Sequence, residues 1–223
     1  AALLEENARK KEWDNHAWEL GITWQATESV SLFAGHSKSY RIPNVDEFAV
    51  SDSDLSPQTA LHYDTGVRTR IGDLAEWTLT GFLMTTTDEI YYGEDPQTNT
   101  TVNRNYDQKT KRKGVETEVK IYPFDWLYAW ANYSYTRARF DQTDSAMPLV
   151  PEHMGNFGVE WYPNENLTLV LSGTMASPRF DGNDQANVQD DFVLGSYQVV
   201  DIKLTWQKDR FRAWAGVNNI FNE

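Results

Sequence analysis

Apolar and polar residues alternate along much of the chain with a period of two. In the first clear segment, four large apolar residues share one side of an extended chain: Trp18, Leu20, Ile22 and Trp24. Polar residues occupy the other side: Glu19, Thr23 and Gln25. Because successive side chains of a β-strand point to opposite faces, this pattern predicts strands with one apolar and one polar face.

The same alternation predicts an all-β chain with about ten strands. They cover residues 16–27, 29–41, 58–71, 76–92, 104–122, 126–140, 153–163, 167–180, 196–207 and 211–223. Residues 2–13 are rich in strong helix formers, and this segment is either a helix or an irregular end.

Short and long connections alternate strictly between these strands. The short ones lie at 27–29, 72–75, 123–125, 163–166 and 208–210, and the long ones at 42–56, 93–103, 141–152 and 181–194. An antiparallel up-and-down meander with short turns at one rim and long loops at the other is typical of transmembrane β-barrels. The fold prediction is therefore part of such a barrel.

Tryptophan placement supports a barrel in a membrane. Seven of the nine tryptophans lie close to a short turn: Trp24, Trp77, Trp126, Trp130, Trp161, Trp206 and Trp214. On a meander they collect near one rim, as in the aromatic girdle at a membrane interface. A soluble β-sandwich has no reason to place them at one end.

Composition narrows the possible partners. The 33 acidic residues outnumber the 20 basic ones and give a formal charge of −13, which disfavours nucleic acid. The absence of cysteine excludes disulfides and thiolate metal sites. A mean hydropathy of −0.63 leaves open a soluble or surface all-β glycan-binding or adhesin module, although barrels with a polar interior also score low.

The sequence predicts neither an enzyme nor a cofactor. The four histidines are scattered over different strands, and no HExxH, GxSxG or phosphate-binding glycine-rich motif is present. Glu116 and Glu118 share a strand face, but basic neighbours indicate an ordinary charge network. The acidic segment with Asp181, Asp184, Asp190 and Asp191 carries oxygen ligands that suit calcium, yet it lacks EF-hand spacing, so no metal site is predicted.

Several segments together resemble the TonB-dependent outer-membrane receptors. They are LFAGHSKSYRIPNVDEF (32–48), SPQTALHYDTGVRTR (56–70), KGVETEV (113–119), WANYSYTRARF (130–140) with VPEH (150–153), and AGVNNIFNE (215–223). The resemblance implies the carboxy-terminal half, residues 1–223, of a 22-stranded barrel whose plug domain is absent from this chain. It also implies import of a ferric siderophore or similar metal chelate across the bacterial outer membrane, driven by the TonB complex through the plug. The remaining implied partners are outer-membrane lipid and lipopolysaccharide.

Aromatic residues and arginines near the long connections are the candidate substrate site. The set is Tyr40, Arg41, Tyr91, Tyr92, Arg104, Tyr106 and Arg139, with Phe180 and Tyr197 at a similar height. Arginine forks bind anionic oxygens and rings stack on flat ligands, which suits a chelate. Alternatively, the rings form an outer aromatic girdle and the arginines bind lipopolysaccharide phosphates or neighbouring acids. We expect the links 42–56 and 93–103 to meet at one rim and to gate the ligand.

Overall fold

The computed structural model describes residues 11–51, 55–94, 99–182, 184–188 and 193–222. Ten strands form one sheet: β1 Trp18–Gln25, β2 Val30–Arg41, β3 Gln58–Ile71, β4 Ala75–Thr87, β7 Thr110–Phe124, β8 Leu127–Phe140, β9 His153–Asn164, β10 Leu167–Ala176, β13 Tyr197–Lys208 and β14 Phe211–Val217. Two hairpins lie outside it: β5 Ile90–Glu94 with β6 Thr101–Asn105, and β11 Arg179–Phe180 with β12 Val193–Leu194. A five-residue helix, Val45–Ala49, follows β2.

The sheet is an antiparallel meander in which each strand pairs with the next one along the sheet. This confirms the all-β up-and-down topology with ten strands. Short turns join the strands at one end, which we call the short-turn rim. The long connections leave the other end, the long-link rim. No helix among the described residues is long and apolar enough to cross a membrane.

Several predicted strands are too long at the long-link rim. The chain leaves the sheet after Thr87, and Asp88 has a left-handed φ of 55°. The predicted strands 76–92 and 104–122 therefore each lose an end to the hairpin β5–β6. Likewise, β10 ends at Ala176 and β14 at Val217, short of the predicted 180 and 223. The segment 2–13 was predicted to be either a helix or an irregular end. Residues 2–10 of it lie outside the described residues, and Lys11–Trp13 are not helical.

The register gives the sheet two chemically distinct faces. The face that carries Trp18, Leu20, Ile22 and Trp24 continues across the strands through Leu32, Val67, Leu79, Val119, Val159, Leu171 and Leu204. We call it the apolar face. The opposite, polar face carries Asp64, Arg68, Glu116, Glu118, Asn132, Asn156 and Asp201. In a transmembrane barrel the apolar face meets lipid and the polar face lines the interior.

The tryptophan girdle is narrower than predicted. Four tryptophans lie on the apolar face near the short-turn rim: Trp24, Trp77, Trp161 and Trp206. Trp130 and Trp214 have the opposite parity and lie on the polar face. Trp130 packs there over Gly158, where an added Cβ would come 2.4 Å from the indole nitrogen. The prediction counted distance from a turn and ignored which face each residue occupies.

Burial on the polar face is concentrated at the long-link rim. One register row joins four residues that are at most 8% exposed: Ala60, Thr86, Thr110 and Phe140. Ala138, Phe140 and Met147 form a small apolar cluster against which Tyr106 and Val150 pack. The long connections thus fold over the polar side of the rim.

Candidate functional site

The first long connection begins with Arg41 and is held close to the rim. The Arg41 guanidinium contacts both carboxylate oxygens of Glu47, at 2.7 and 2.9 Å. Asn44 caps the helix Val45–Ala49 by accepting from the Glu47 N–H, and Glu47 accepts in turn from the Asn44 N–H. Partial burial raises the pKa of Glu47, but the hydrogen bonds from Arg41 and Asn44 outweigh it, so this pKa lies below its usual value. Arg41 is therefore already paired with an acid.

The second long connection is the hairpin β5–β6, which touches the first. The Asn103 N–H donates to the Val50 carbonyl at 2.8 Å, and its side-chain amide lies 3.2 Å from the carbonyls of Glu47 and Val50. Asn105 bonds both the N–H and the carbonyl of Ser56. The two links therefore meet at the same rim, where sequence analysis expected them to lie.

Three of the predicted aromatic and basic residues come together on this hairpin. Tyr91 stacks on Tyr106 with ring centroids 4.1 Å apart and an interplanar angle of 5°. Tyr106 in turn meets Phe140 edge-on at 4.8 Å. Arg104 pairs with Tyr91 across the hairpin. Burial raises the pKa of Tyr106, and the negative charge of Glu89 raises it further, so its hydroxyl stays protonated.

Among the seven candidate site residues, Tyr92 and Tyr40 are the exposed tyrosines. Tyr92 lies on β5 and is 61% exposed. Tyr40 is 41% exposed, but its register partner is Thr59 and it belongs to the apolar face. Arg41, one residue later, belongs to the polar face. Tyr40 and Arg41 therefore lie at the same level of β2 but on opposite faces of the sheet.

Arg139 also lies on the apolar face, opposite Lys111 in the register. It forms an ion pair of 2.8 Å with Glu152, from the connection after β8. That connection also supplies Asp141 to Lys111, and Asp144 to Arg137 at 3.1 Å. This arrangement matches the alternative in which the arginines pair with neighbouring acids.

Phe180 and Tyr197 lie near the short hairpin β11–β12. Phe180 pairs with Val193, and its carbonyl accepts from the Leu149 N–H at 2.8 Å. The Arg179 guanidinium lies 5.4 Å from the centre of the Tyr197 ring. These residues connect the third and fourth long links and do not touch the β5–β6 cluster in any described contact.

The acidic segment uses one of its carboxylates in its own fold. Asp184 is 3% exposed and accepts from the Val188 N–H at 3.0 Å. Asp190 and Asp191 lie outside the described residues. Within the described residues, no group of three or more histidine or acidic side chains is arranged to hold a metal.

The ion pair that fastens β5–β6 to the sheet was not predicted from the sequence. The Arg112 guanidinium on β7 donates two hydrogen bonds, of 2.6 and 3.0 Å, to the Glu89 carboxylate. The Thr110 hydroxyl donates to the same carboxylate. Glu116 and Glu118, by contrast, lie nearer the short-turn rim on the polar face, where Glu118 forms an ion pair of 2.6 Å with Lys120. The charge network expected for the latter two residues is thus present for Glu118.

Comparison with known proteins gives one family and one fold. The family described as TonB dependent receptor-like, beta-barrel matches residues 3–220. The chain is similar to the ferric-catecholate import receptor Fiu from E. coli, with 20% identity over 93% of this chain and 31% of that one, at a TM-score of 0.70. It is also similar to a mutant of the ferric enterobactin receptor PfeA from Pseudomonas aeruginosa in complex with enterobactin, with 18% identity, 93% and 35% coverage, and a TM-score of 0.73.

The chain is also similar to the copper transporter OprC, with 18% identity over 92% of this chain and 33% of that one, at a TM-score of 0.73. The chain therefore spans about a third of the length of the solved structures it matches. At these identities the structural likeness establishes the fold alone.

Proposed function

Since the chain belongs to the family of TonB-dependent receptor β-barrels, proteins of the bacterial outer membrane, we propose that it forms part of a receptor that imports a ferric siderophore or a similar metal chelate. Energy for import would come from the TonB complex, acting through a plug region of the full receptor. The described strands form the wall of the barrel, and the long-link rim forms its outer mouth. Gating by the two links stays a prediction.

The observation that carries this proposal is the way the long connections cover the polar face. The row Ala60, Thr86, Thr110 and Phe140 would face the barrel interior, yet it is buried under these connections. Loops that only extended into solvent would leave this row open. A mouth narrowed by folded loops suits a receptor that must hold a bulky ligand before transport, since binding residues on loops are positioned by the rigid strands below.

We propose that the chelate is recognised mainly on the hairpin β5–β6. Tyr91, Tyr92 and Tyr106 offer aromatic surface for a flat ligand, and Arg104 supplies positive charge, whereas the charge of Arg41 is already paired with Glu47. Because burial raises the pKa of Tyr106, its hydroxyl stays protonated and this residue adds no phenolate charge that would repel an anion. Tyr40 and Arg139 belong to the apolar face, and we propose that they contact groups on the lipid side.

The test compares an exposed tyrosine of the hairpin β5–β6, Tyr92, with an exposed tyrosine on the apolar face of the sheet, Tyr40. In the full-length receptor, Tyr92→Ala should weaken binding of the imported chelate by about tenfold, which corresponds to the loss of one aromatic contact worth roughly 1.4 kcal/mol. Tyr40→Ala is the matched control and should leave chelate affinity unchanged. Binding of a panel of ferric catecholate, hydroxamate and carboxylate chelates to purified receptor provides the measurement, and uptake by cells provides the functional readout.

Surface expression of both variants must be equal to that of the parent for the comparison to count. If no member of the panel binds the parent, the proposed substrate class is wrong. If a chelate binds and Tyr40→Ala weakens it as much as Tyr92→Ala, the receptor assignment stands but the assignment of the hairpin as the recognition surface does not.

A further inference from the structure

The net charge of the chain lies entirely in its long connections. At the long-link rim, the sheet strands are joined by residues 42–57, 88–109, 141–152 and 177–196, which we call the four long links. In this order they hold four, five, three and four acidic residues, against only three basic ones: Arg104, Lys109 and Arg179. Their formal charge is therefore −13, and the rest of the chain holds 17 acidic and 17 basic residues.

Cations at the ends of the strands offset only part of this charge. Five of them contact an acid of a long link: Arg41 with Glu47, Lys111 with Asp141, Arg112 with Glu89, Arg137 with Asp144, and Arg139 with Glu152. Adding these five positive charges to the four long links still leaves a formal charge of −8. Three acids within or next to the hairpin β5–β6 are exposed: Asp88, Glu94 and Asp107.

The four long links form one continuous charged surface, because each is hydrogen-bonded to the next. The bonds run from the Asn103 N–H to the Val50 carbonyl, from the Gln142 N–H to the Gln108 side chain at 2.9 Å, and from the Leu149 N–H to the Phe180 carbonyl. A ligand that approaches the hairpin β5–β6 therefore comes within reach of charges from more than one link. At about 0.1 M salt, exposed charges act over roughly 10 Å.

A surface with one sign of charge selects ligands before they make contact. It attracts ligands of the opposite sign and repels those of the same sign, and such steering changes association rates by roughly 10- to 1,000-fold. Like charges that are brought together across an interface also disfavour the bound state. The four long links therefore oppose the binding of an anion at this mouth.

The charge of a ferric chelate depends on the groups that bind the metal. Three catecholates give ferric iron a triply anionic complex, whereas three hydroxamates neutralise it. Both complexes present oxygen atoms with partial negative charge, so Arg104 on the hairpin can donate hydrogen bonds to a neutral chelate as well. The exposed ring of Tyr92 suits an uncharged or a cationic group. The contacts offered by the hairpin thus do not require an anionic ligand.

We infer that the receptor selects chelates that are uncharged or cationic, with ferric trihydroxamates as the class that fits, and disfavours triply anionic ferric tricatecholates. This inference rests on the proposed function, since it names the substrate class of the same mouth. The hairpin β5–β6 holds the chelate, while repulsion by the four long links rejects anionic competitors. Selection against the wrong ligand by a repulsive element is a general route to specificity.

The test varies the charge of one ligand and leaves its metal-binding groups unchanged. A linear ferric trihydroxamate with a free terminal amine is cationic, its acetylated form is neutral, and its succinylated form is anionic. At about 0.01 M salt, where charges act over roughly 30 Å, the purified full-length receptor should bind the cationic form at least tenfold more tightly than the anionic form. At about 1 M salt the two affinities should agree within about twofold, because screening then confines charges to roughly 3 Å.

A triple variant tests whether the links supply this preference. Asp88→Asn, Glu94→Gln and Asp107→Asn together remove three negative charges at the hairpin, and asparagine tolerates the left-handed φ of 55° at position 88. The preference for the cationic form at low salt should fall at least threefold. The matched control carries the same change in charge on exposed acids of the short turns: Glu28→Gln, Asp73→Asn and Asp125→Asn. Its preference should equal that of the parent.

The outcomes separate this inference from the proposed function. If the parent binds no ferric catecholate, hydroxamate or carboxylate chelate, the proposed function is wrong and the inference falls with it. If the parent binds a ferric tricatecholate at least as tightly as the neutral trihydroxamate, the proposed function stands and the inference is overturned. Equal affinity for the three charge forms at low salt would also overturn it, as would an equal change of preference in the two triple variants.

Discussion

The hairpin β5–β6 should depend on one ion pair for its position. Glu89 and Arg112 are 14% and 18% exposed and make two contacts, at 2.6 and 3.0 Å. Replacing Arg112 with Met keeps an unbranched apolar stem but removes the guanidinium group that contacts Glu89. The Glu89 carboxylate then keeps only Thr110 as a described side-chain partner. We expect the hairpin to detach more often in this variant.

The magnitude follows from the burial of the pair. Breaking a fully buried ion pair costs about 3 to 5 kcal/mol because one charge is left unpaired. Partial exposure of Glu89 and Arg112 reduces this cost, and we expect about 2 to 3 kcal/mol, which lies within the range for hydrogen bonds to charged groups. The opening equilibrium of the hairpin should therefore rise roughly 30- to 150-fold.

Hydrogen exchange of residues 90–105 in the full receptor measures this opening. The matched control is Lys120→Met, on the polar face of the same strand. Lys120 pairs with Glu118, and the two side chains are 37% and 47% exposed, so the loss should stay below about 1 kcal/mol. Unchanged exchange in Arg112→Met, or an equal rise in exchange across the whole sheet, would contradict the role of this ion pair in holding the hairpin.

Three other predictions concern the faces of the sheet and the first link. Leu20→Arg should impair membrane assembly by about 2 to 4 kcal/mol in a folding assay, whereas Thr23→Arg, on the polar face, should be tolerated; equal effects would contradict the register. Gly66→Ala should lower the free energy of unfolding by about 1 to 3 kcal/mol, because its Cβ would come 2.2 Å from the Leu79 carbonyl. At Gly81 an added Cβ has room, so Gly81→Ala should have the same melting temperature as the parent. The pKa of the Glu47 carboxyl is lower in the folded link than in the unfolded chain, so its contribution to the stability of the link is complete above the unfolded pKa near 4.5 and is lost as the pH falls through the folded pKa. Proteolysis of residues 42–51 should become faster over that pH range, and an unchanged rate would contradict the prediction.

The sheet was predictable because its signal is local. Alternation over eight or more residues identifies a strand and its two faces without any knowledge of its neighbours. The end of β4 could not be predicted from the sequence, because Ile90, Tyr91 and Tyr92 favour strands as much as the residues before them. The break falls at Asp88, which adopts a left-handed conformation that its identity alone does not reveal.

The contacts at the rim were readable only where they are local. Asn44 and Glu47 are three residues apart and follow the spacing of a capping box, so the short helix and the partner of Arg41 had a signal in the sequence. Glu89 and Arg112 are separated by 23 residues, and Tyr91 and Tyr106 by a whole hairpin. Such pairs depend on how the hairpin folds back, and no periodicity encodes that.

Whether a residue occupies an even or an odd position along its strand decides which face of the sheet it belongs to, and its distance from the rim does not. Tyr40 and Arg41 are consecutive, yet one belongs to the apolar face and the other to the polar face. The same rule assigns Arg139 to the apolar face, two positions from Arg137. Under the proposed function, a chelate in the mouth would meet Arg104 on the hairpin, whereas Tyr40 and Arg139 would contact groups on the lipid side. Substitution of Tyr92 should therefore weaken chelate binding and substitution of Tyr40 should not, even though both residues lie near the long-link rim.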